Sequence, residues 1–143
     1  MLDCDRLMRE AIQRFWETRD SQEESQGMTT GVRDTGNRTA VTGGKHLDGV
    51  IELLRAVVAD AGIKDAYIHS KKKKRRTLPG YFRPSKDWDL VVTTERDVIA
   101  VVEVKSHIGS FGNNFNNRAE EAIGNAYDLR EAYKEGTYEP SAP

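Results

Sequence analysis

Apolar positions recur at helical spacing in three separate stretches of the chain. Within Leu2–Arg19, Leu7, Met8, Ala11, Ile12, Phe15 and Trp16 fall at i, i+3 and i+4, which predicts an amphipathic helix. A second stripe of Leu47, Val50, Ile51, Leu54 and Val58 predicts a helix over Lys45–Ala61, with Gly62 as its C-terminal stop. The third runs from Asn117 to about Lys134, with Ala119, Ala122, Ile123, Ala126, Leu129 and Tyr133 on one face and Gly136 as the stop. Residues 20–44 have no period and many Gly, Thr, Asn and Gln, so a long loop is expected there. Asp65–Ser70 predicts a short strand. The prolines of Leu78–Pro84 exclude regular helix. Asp87–Thr94 and Val98–Ser106 are rich in β-branched residues and separated by Glu95-Arg96-Asp97, the signature of a hairpin. The order predicts a single α/β domain over 1–143, a small mixed sheet whose hairpin is flanked by helices, and a tail at 137–143.

Composition limits the core. Charged residues make up 31% of the 143 and apolar ones 37%, so one modest core with a strongly solvated surface is expected. The formal net charge of −1 argues against a generally basic nucleic-acid binder, but six of the 22 basic residues stand consecutively as Lys71, Lys72, Lys73, Lys74, Arg75 and Arg76. Such a run is ordinarily a solvated loop. Its place just before the hairpin favours phosphate contact. The single Cys4 allows no internal disulfide and no zinc site. No stretch reads as a membrane span or signal peptide, which makes the cytoplasm the expected compartment.

Charge inside the hairpin carries the chemistry. Side chains alternate along a strand, so Glu103 and Lys105 share one side while Val102 and Val104 share the other. An apolar strand of this kind is expected in the centre of a sheet, where unpaired charges are costly. Asp89 on the neighbouring strand supplies a second carboxylate on the same side. Two acids suit Mg²⁺, and an amine suits a water or a developing phosphoryl charge. A plain Glu103–Lys105 salt bridge at a strand edge is the alternative. On the second helix, Asp48 and Glu52 are four apart and share a face. Asn113, Asn114, Asn116, Asn117 and Arg118 precede or open the third helix. Asn117 and Glu120 have the spacing of a capping pair, while Asn113, Asn114, Asn116 and Arg118 are side chains suited to base edges or phosphates.

The segments LPGYFRPSKDWDL, EVKS and FGNNFNNRAEEAIGNAYDLREAYKEG, with KHLDGVIELL and FWETRDSQ upstream, resemble the XhoI family of type II restriction endonucleases. Asp89 followed by Glu103-Val104-Lys105 is similar to the PD-(D/E)xK nuclease motif of that superfamily. The resemblance implies a restriction-endonuclease-like core and Mg²⁺-dependent hydrolysis of double-stranded DNA at CTCGAG, by a homodimer matching the palindrome. It implies that Asp89, Glu103 and the Val104 carbonyl hold the metal. Lys105 orients or helps to deprotonate the attacking water, the latter requiring a lowered pKa. Glu52 approaches the metal from the core helix. Members of the family are longer, so a fragment or shortened relative is expected. Two alternatives stay open: a DNA-binding remnant without catalysis, and a repair or junction-resolving nuclease of the same fold.

Overall fold

The computed structural model describes residues 2–30, 45–71, 73–106 and 111–138, and the chain divides into two compact units, Met1–Ile63 and Lys64–Pro143. The first unit is a helix pair. Helix α1, Cys4–Thr30, opens with the Asp3 carboxylate accepting the Arg6 amide at 2.9 Å, an N-cap bond. The helix continues through residues 20–30, where a loop is expected from composition. That segment is polar but contains good helix formers, and no glycine before Gly27 and no proline interrupt it. Polarity is thus not what ends a helix. The remainder of the expected loop, 31–44 with Arg33, Asn37 and Arg38, lies outside the described residues.

A 3₁₀ turn at Lys45–Leu47 leads into α2, Asp48–Asp60. Ala11 of α1 and Leu53 of α2 are buried, and the two helices meet at Gly49, where a Cβ would stand 3.2 Å from the Ala11 Cα. Phe15 packs edge-on to the buried His46 ring at 5.2 Å, whereas Trp16 remains half-exposed with the Arg19 guanidinium over its ring. Gly62 takes φ +92° and closes α2 with paired bonds from the Gly62 amide to Ala59 O and from the Ile63 amide to Val58 O.

The second unit is built on strands. Strand β1 is Ile68–His69, preceded by a 3₁₀ turn at Asp65–Tyr67 where the sequence predicts strand. The basic run does not form a plain loop, because Lys73–Arg76 makes one helical turn, α3. Then follow β2 (Thr77–Leu78), β3 (Lys86–Asp87), β4 (Leu90–Thr93), β5 (Val98–Val102) and the long helix α4 (Phe111–Lys134). All described pairings are antiparallel: β2 with β3, and a three-stranded sheet in the order β1-β4-β5. The central strand is therefore β4, whose Leu90, Val91 and Val92 are buried. Strand β5, expected at the centre, stands at the edge with Ile99 and Ala100 exposed. Thr94 turns the chain by accepting the Asp97 amide on its hydroxyl at 2.9 Å.

Helix α4 reverses the expected polarity. Its buried strip is Asn125, Asp128 and Ala132, at 6%, 2% and 0% exposure, while Ile123 and Phe115 are each 69% exposed. Ala122, Ala126 and Tyr133 are exposed as well, so the apolar face assigned to the core points outward. The polar strip is buried because it is satisfied. The Asp128 carboxylate accepts the amides of Tyr81 (3.0 Å) and Phe82 (2.7 Å) and pairs with Arg83 Nε at 3.1 Å, and Arg83 also donates to Asn125. Gly80 is required beneath it, since a Cβ there would lie 2.4 Å from Asp128 Oδ2. Gly136, at φ +71°, ends the helix as predicted.

Candidate active site

The site lies where the β4–β5 ladder stops. The last paired positions are Leu90 and Val102, and one step beyond them stand Asp89 and Glu103. The Asp89 amide donates to Val102 O at 3.0 Å, and Asp89 Oδ2 accepts the Val104 amide at 2.7 Å. Asp89 is thereby fastened to the backbone between Glu103 and Lys105. Glu103 Oε1 receives two ammonium groups, Lys105 Nζ at 2.5 Å and Lys86 Nζ at 3.2 Å. The Glu103–Lys105 pair confirms that both side chains take one side, although the strand has already ended at Val102. Among the described residues, Asp89 Oδ1 and Glu103 Oε2 accept no hydrogen bond, leaving one oxygen of each acid for a further ligand.

Two members of the cluster are not singled out by the sequence pattern. Lys86 is largely buried and lies over the Trp88 ring, 4.9 Å from its centroid, besides bonding Glu103. Glu121, on α4, accepts Lys105 Nζ at 2.8 Å and pairs with Arg118 at 3.1 Å. A lysine two residues before Trp88 in KDWD carries no periodic signal. Glu121, itself exposed, lies one turn before Asn125 and Asp128, whose burial only tertiary contacts reveal.

These contacts set the protonation states. Burial pulls the Lys105 pKa down, but hydrogen bonds and charge from Glu103 and Glu121 outweigh it, and the net effect is a raised pKa. That is opposite to the lowering a general base requires, so Lys105 stands here as an ammonium ion. The Lys105 hydrogen bond holds the Glu121 carboxyl below its ordinary value, with Arg118 adding to it and burial opposing.

The other sequence-predicted residues are distributed as follows. Glu52 is exposed on α2 in the first unit. In the basic run, Lys73 pairs with Asp87 at 3.1 Å, and the Arg76 guanidinium donates to the Trp88 carbonyl, whose amide donates to Arg76 O. Arg76 is therefore a structural brace between α3 and the start of β4. Lys71, Lys74 and Arg75 are exposed, and Lys72 lies outside the described residues. Asn113–Arg118 is not a loop before a helix but part of α4 itself. Asn116 donates to Glu120 at 2.8 Å and Arg118 to Glu121 at 3.1 Å, which replaces the expected Asn117–Glu120 cap. The side chains of Asn113 and Asn114 lie outside the described residues.

Two carboxylates and a lysine thus gather at one end of the β4–β5 ladder, a set of hard oxygen donors beside a fixed cation. The family model for restriction endonuclease XhoI matches residues 26–143, and the chain belongs to that family. It is 44% identical over 142 residues to the type II restriction enzyme XhoI of Xanthomonas vasicola, covering 95% of this chain and 54% of the relative. It is also 44% identical to the type II restriction enzymes AbrI of Azospirillum brasilense (96% of this chain, 61% of the relative) and BstVI of Geobacillus stearothermophilus (76% and 50%). The chain thus spans about half the length of these relatives. No solved structure matches it.

Proposed function

We propose that this chain carries the catalytic centre of a type II restriction endonuclease that hydrolyses double-stranded DNA at CTCGAG with Mg²⁺, as a homodimer. The observation that carries the reading is the Asp89 Oδ2 bond to the Val104 amide, which ties the first acid to the Glu103-Val104-Lys105 segment. The donor set fits the metal. Mg²⁺ is held through one or two carboxylates and keeps several waters, and two carboxylates each have an oxygen unengaged among the described residues. No group of three or more His, Cys, Asp or Glu suited to a metal occurs among those residues, so water or phosphate completes any such shell.

Asp89, Glu103 and the Val104 carbonyl would hold the ion, which when bound supplies Lewis-acid stabilisation and an activated water. Asp89 orients the Val104 peptide. Lys105, steadied between Glu103 and Glu121, offers a fixed positive charge to the water and to the oxygens of the phosphoryl group as negative charge develops. Lys86 pairs with Glu103 through Oε1 and would help to hold that acid while Oε2 meets the ion. Lys71, Lys74 and Arg75 meet the DNA backbone with Lys72, and Asn113, Asn114, Asn116 and Arg118 read bases or grip phosphates from the start of α4.

The test is incubation of the purified chain with a plasmid containing one CTCGAG site, with Mg²⁺ and with EDTA. Linearisation at that site only with Mg²⁺ is expected. Binding without cleavage under both conditions overturns the catalytic reading in favour of a non-catalytic DNA-binding remnant.

A further inference from the structure

Lys86 is placed by its own short ladder, apart from the strands that carry the acids. Strand β3 pairs with β2, setting Lys86 opposite Leu78 and Asp87 opposite Thr77. Side chains alternate along a strand, so Lys86 and Trp88 take one side and Asp87 the other. The contacts follow that division. Asp87 meets Thr77 and Lys73, whereas the Lys86 ammonium stands 4.9 Å from the Trp88 ring centroid and 3.2 Å from Glu103 Oε1. The buried indole carries no charge to offset the ammonium. Among the described residues, Glu103 is the one acid that pairs with Lys86. The other cation on Glu103 differs. The Lys105 side chain is 32% exposed and divides its charge between Glu103 and Glu121, while that of Lys86 is 13% exposed and serves Glu103 alone. Less water surrounds Lys86, so its field at the carboxylate is less screened. Within the cluster the charges already balance, with Lys86, Lys105 and Arg118 set against Asp89, Glu103 and Glu121.

We infer that Lys86 is the counter-charge that sets, and lowers, the affinity of the acid pair for a divalent metal. The inference rests on the reading of Asp89 and Glu103 as metal ligands and adds what tunes them. Lys86 engages Oε1 and leaves Oε2, so it opposes an arriving cation by charge and not by filling its place. A unit charge within about 4–6 Å changes the affinity of a carboxylate for a proton by about 10- to 1000-fold, and a divalent cation presents twice that charge. Without Lys86 the cluster carries one net negative charge, and a dication entering it meets attraction where the balanced cluster offers none.

Mn²⁺ binding to the intact chain, read by electron paramagnetic resonance without DNA, tests this. Lys86→Met removes the charge but keeps a linear side chain against the Trp88 ring, and Glu103 retains Lys105, so a folded chain is expected by circular dichroism. Lys86→Met should bind Mn²⁺ about tenfold or more tightly than the wild-type chain. Lys86→Gln, a second neutral variant, should move with it, while Lys86→Arg stays near wild type and Glu103→Gln binds weakest. The sign separates the roles, because a merely structural lysine would loosen the site and weaken binding when lost. Glu103-dependent binding that the neutral variants leave unchanged or weaken overturns the inference and leaves the metal reading standing. Unfolding of both neutral variants makes Lys86 structural and overturns it as well. Mn²⁺ binding that is indifferent to Glu103→Gln, or absent from every chain, overturns the metal reading and this inference with it.

Discussion

The carboxylate of Asp128 accepts the Phe82 amide at 2.7 Å across 46 residues of chain, and in doing so fastens α4 to the proline-containing connector. It also takes the Tyr81 amide and the Arg83 guanidinium, so removing it orphans three donors. Asp128→Ala is expected to destabilise the second unit by about 2–4 kcal/mol, and Asp128→Asn by less, because the amide oxygen still serves the backbone. Gly80→Ala should cost about 1–3 kcal/mol, since the added methyl invades the carboxylate. Urea denaturation measures all three. An unchanged midpoint for Asp128→Ala would show that the polar strip does not hold the helix.

His46 makes the first unit sensitive to acid. Burial lowers its pKa, the nearby Arg19 charge lowers it further, and Asp48 opposes. The folded state therefore favours the neutral ring, and the unfolded state binds more protons between the lowered folded pKa and the ordinary value of about 6.5. Stability from this group is complete above about pH 6.5 and drains as pH falls through the folded pKa. Urea midpoints at several values from pH 7.5 to 5 should fall more steeply for the wild-type chain than for His46→Gln. Parallel curves would rule His46 out as the source.

Within the candidate site, Lys105→Ala should reduce cleavage by roughly 10²–10³, as for loss of a charge-stabilising donor, while DNA affinity stays nearly constant. Glu121→Gln removes one of the two anchors of Lys105 and should lower kcat by about 10- to 100-fold, the range typical of a supporting residue, with KM little changed. Steady-state kinetics on a labelled duplex distinguishes the two. A KM effect alone at Glu121 would mean that it meets DNA instead of steadying the lysine.

On the proposed reading the basic run divides into two jobs. Replacing Lys74 and Arg75 by Ser should flatten the log–log dependence of DNA affinity on salt by about two, at roughly 0.9 per phosphate contact. Arg76→Ala should act on stability, because its guanidinium holds the Trp88 carbonyl. Fluorescence anisotropy across a salt series, set beside thermal melts, separates the effects; equal salt slopes before and after the Lys74/Arg75 change would make those residues bystanders to binding.

Local signals proved readable where local physics decides. Gly62 and Gly136 stop their helices at positive φ as expected, and β-branched residues on either side of Glu95-Arg96-Asp97 form the hairpin. The Glu103–Lys105 contact falls on the side that alternation predicts, although β5 ends at Val102. Where distant partners decide, the pattern misleads. Asp128 and Asn125 look like solvent-facing residues until Gly80–Arg83 wraps over them, and Ile123 looks like core until the same helix turns its polar strip inward. Lys86 and Glu121 join the site only through tertiary ion pairs.

The position of Lys86 gives this molecule a built-in optical probe. One ammonium group both overlies the Trp88 indole and neutralises Glu103. On the proposed reading, a cation bound at Glu103 would share the carboxylate with that ammonium, and the electric field across the indole would change with it. Trp88 is buried, so its emission answers to this local charge rather than to bulk solvent. The chain has only one other tryptophan, Trp16, and a Trp16→Phe background leaves a single fluorophore. Occupancy of the acid pair would then be visible as a spectral change in a cuvette, without DNA and without turnover.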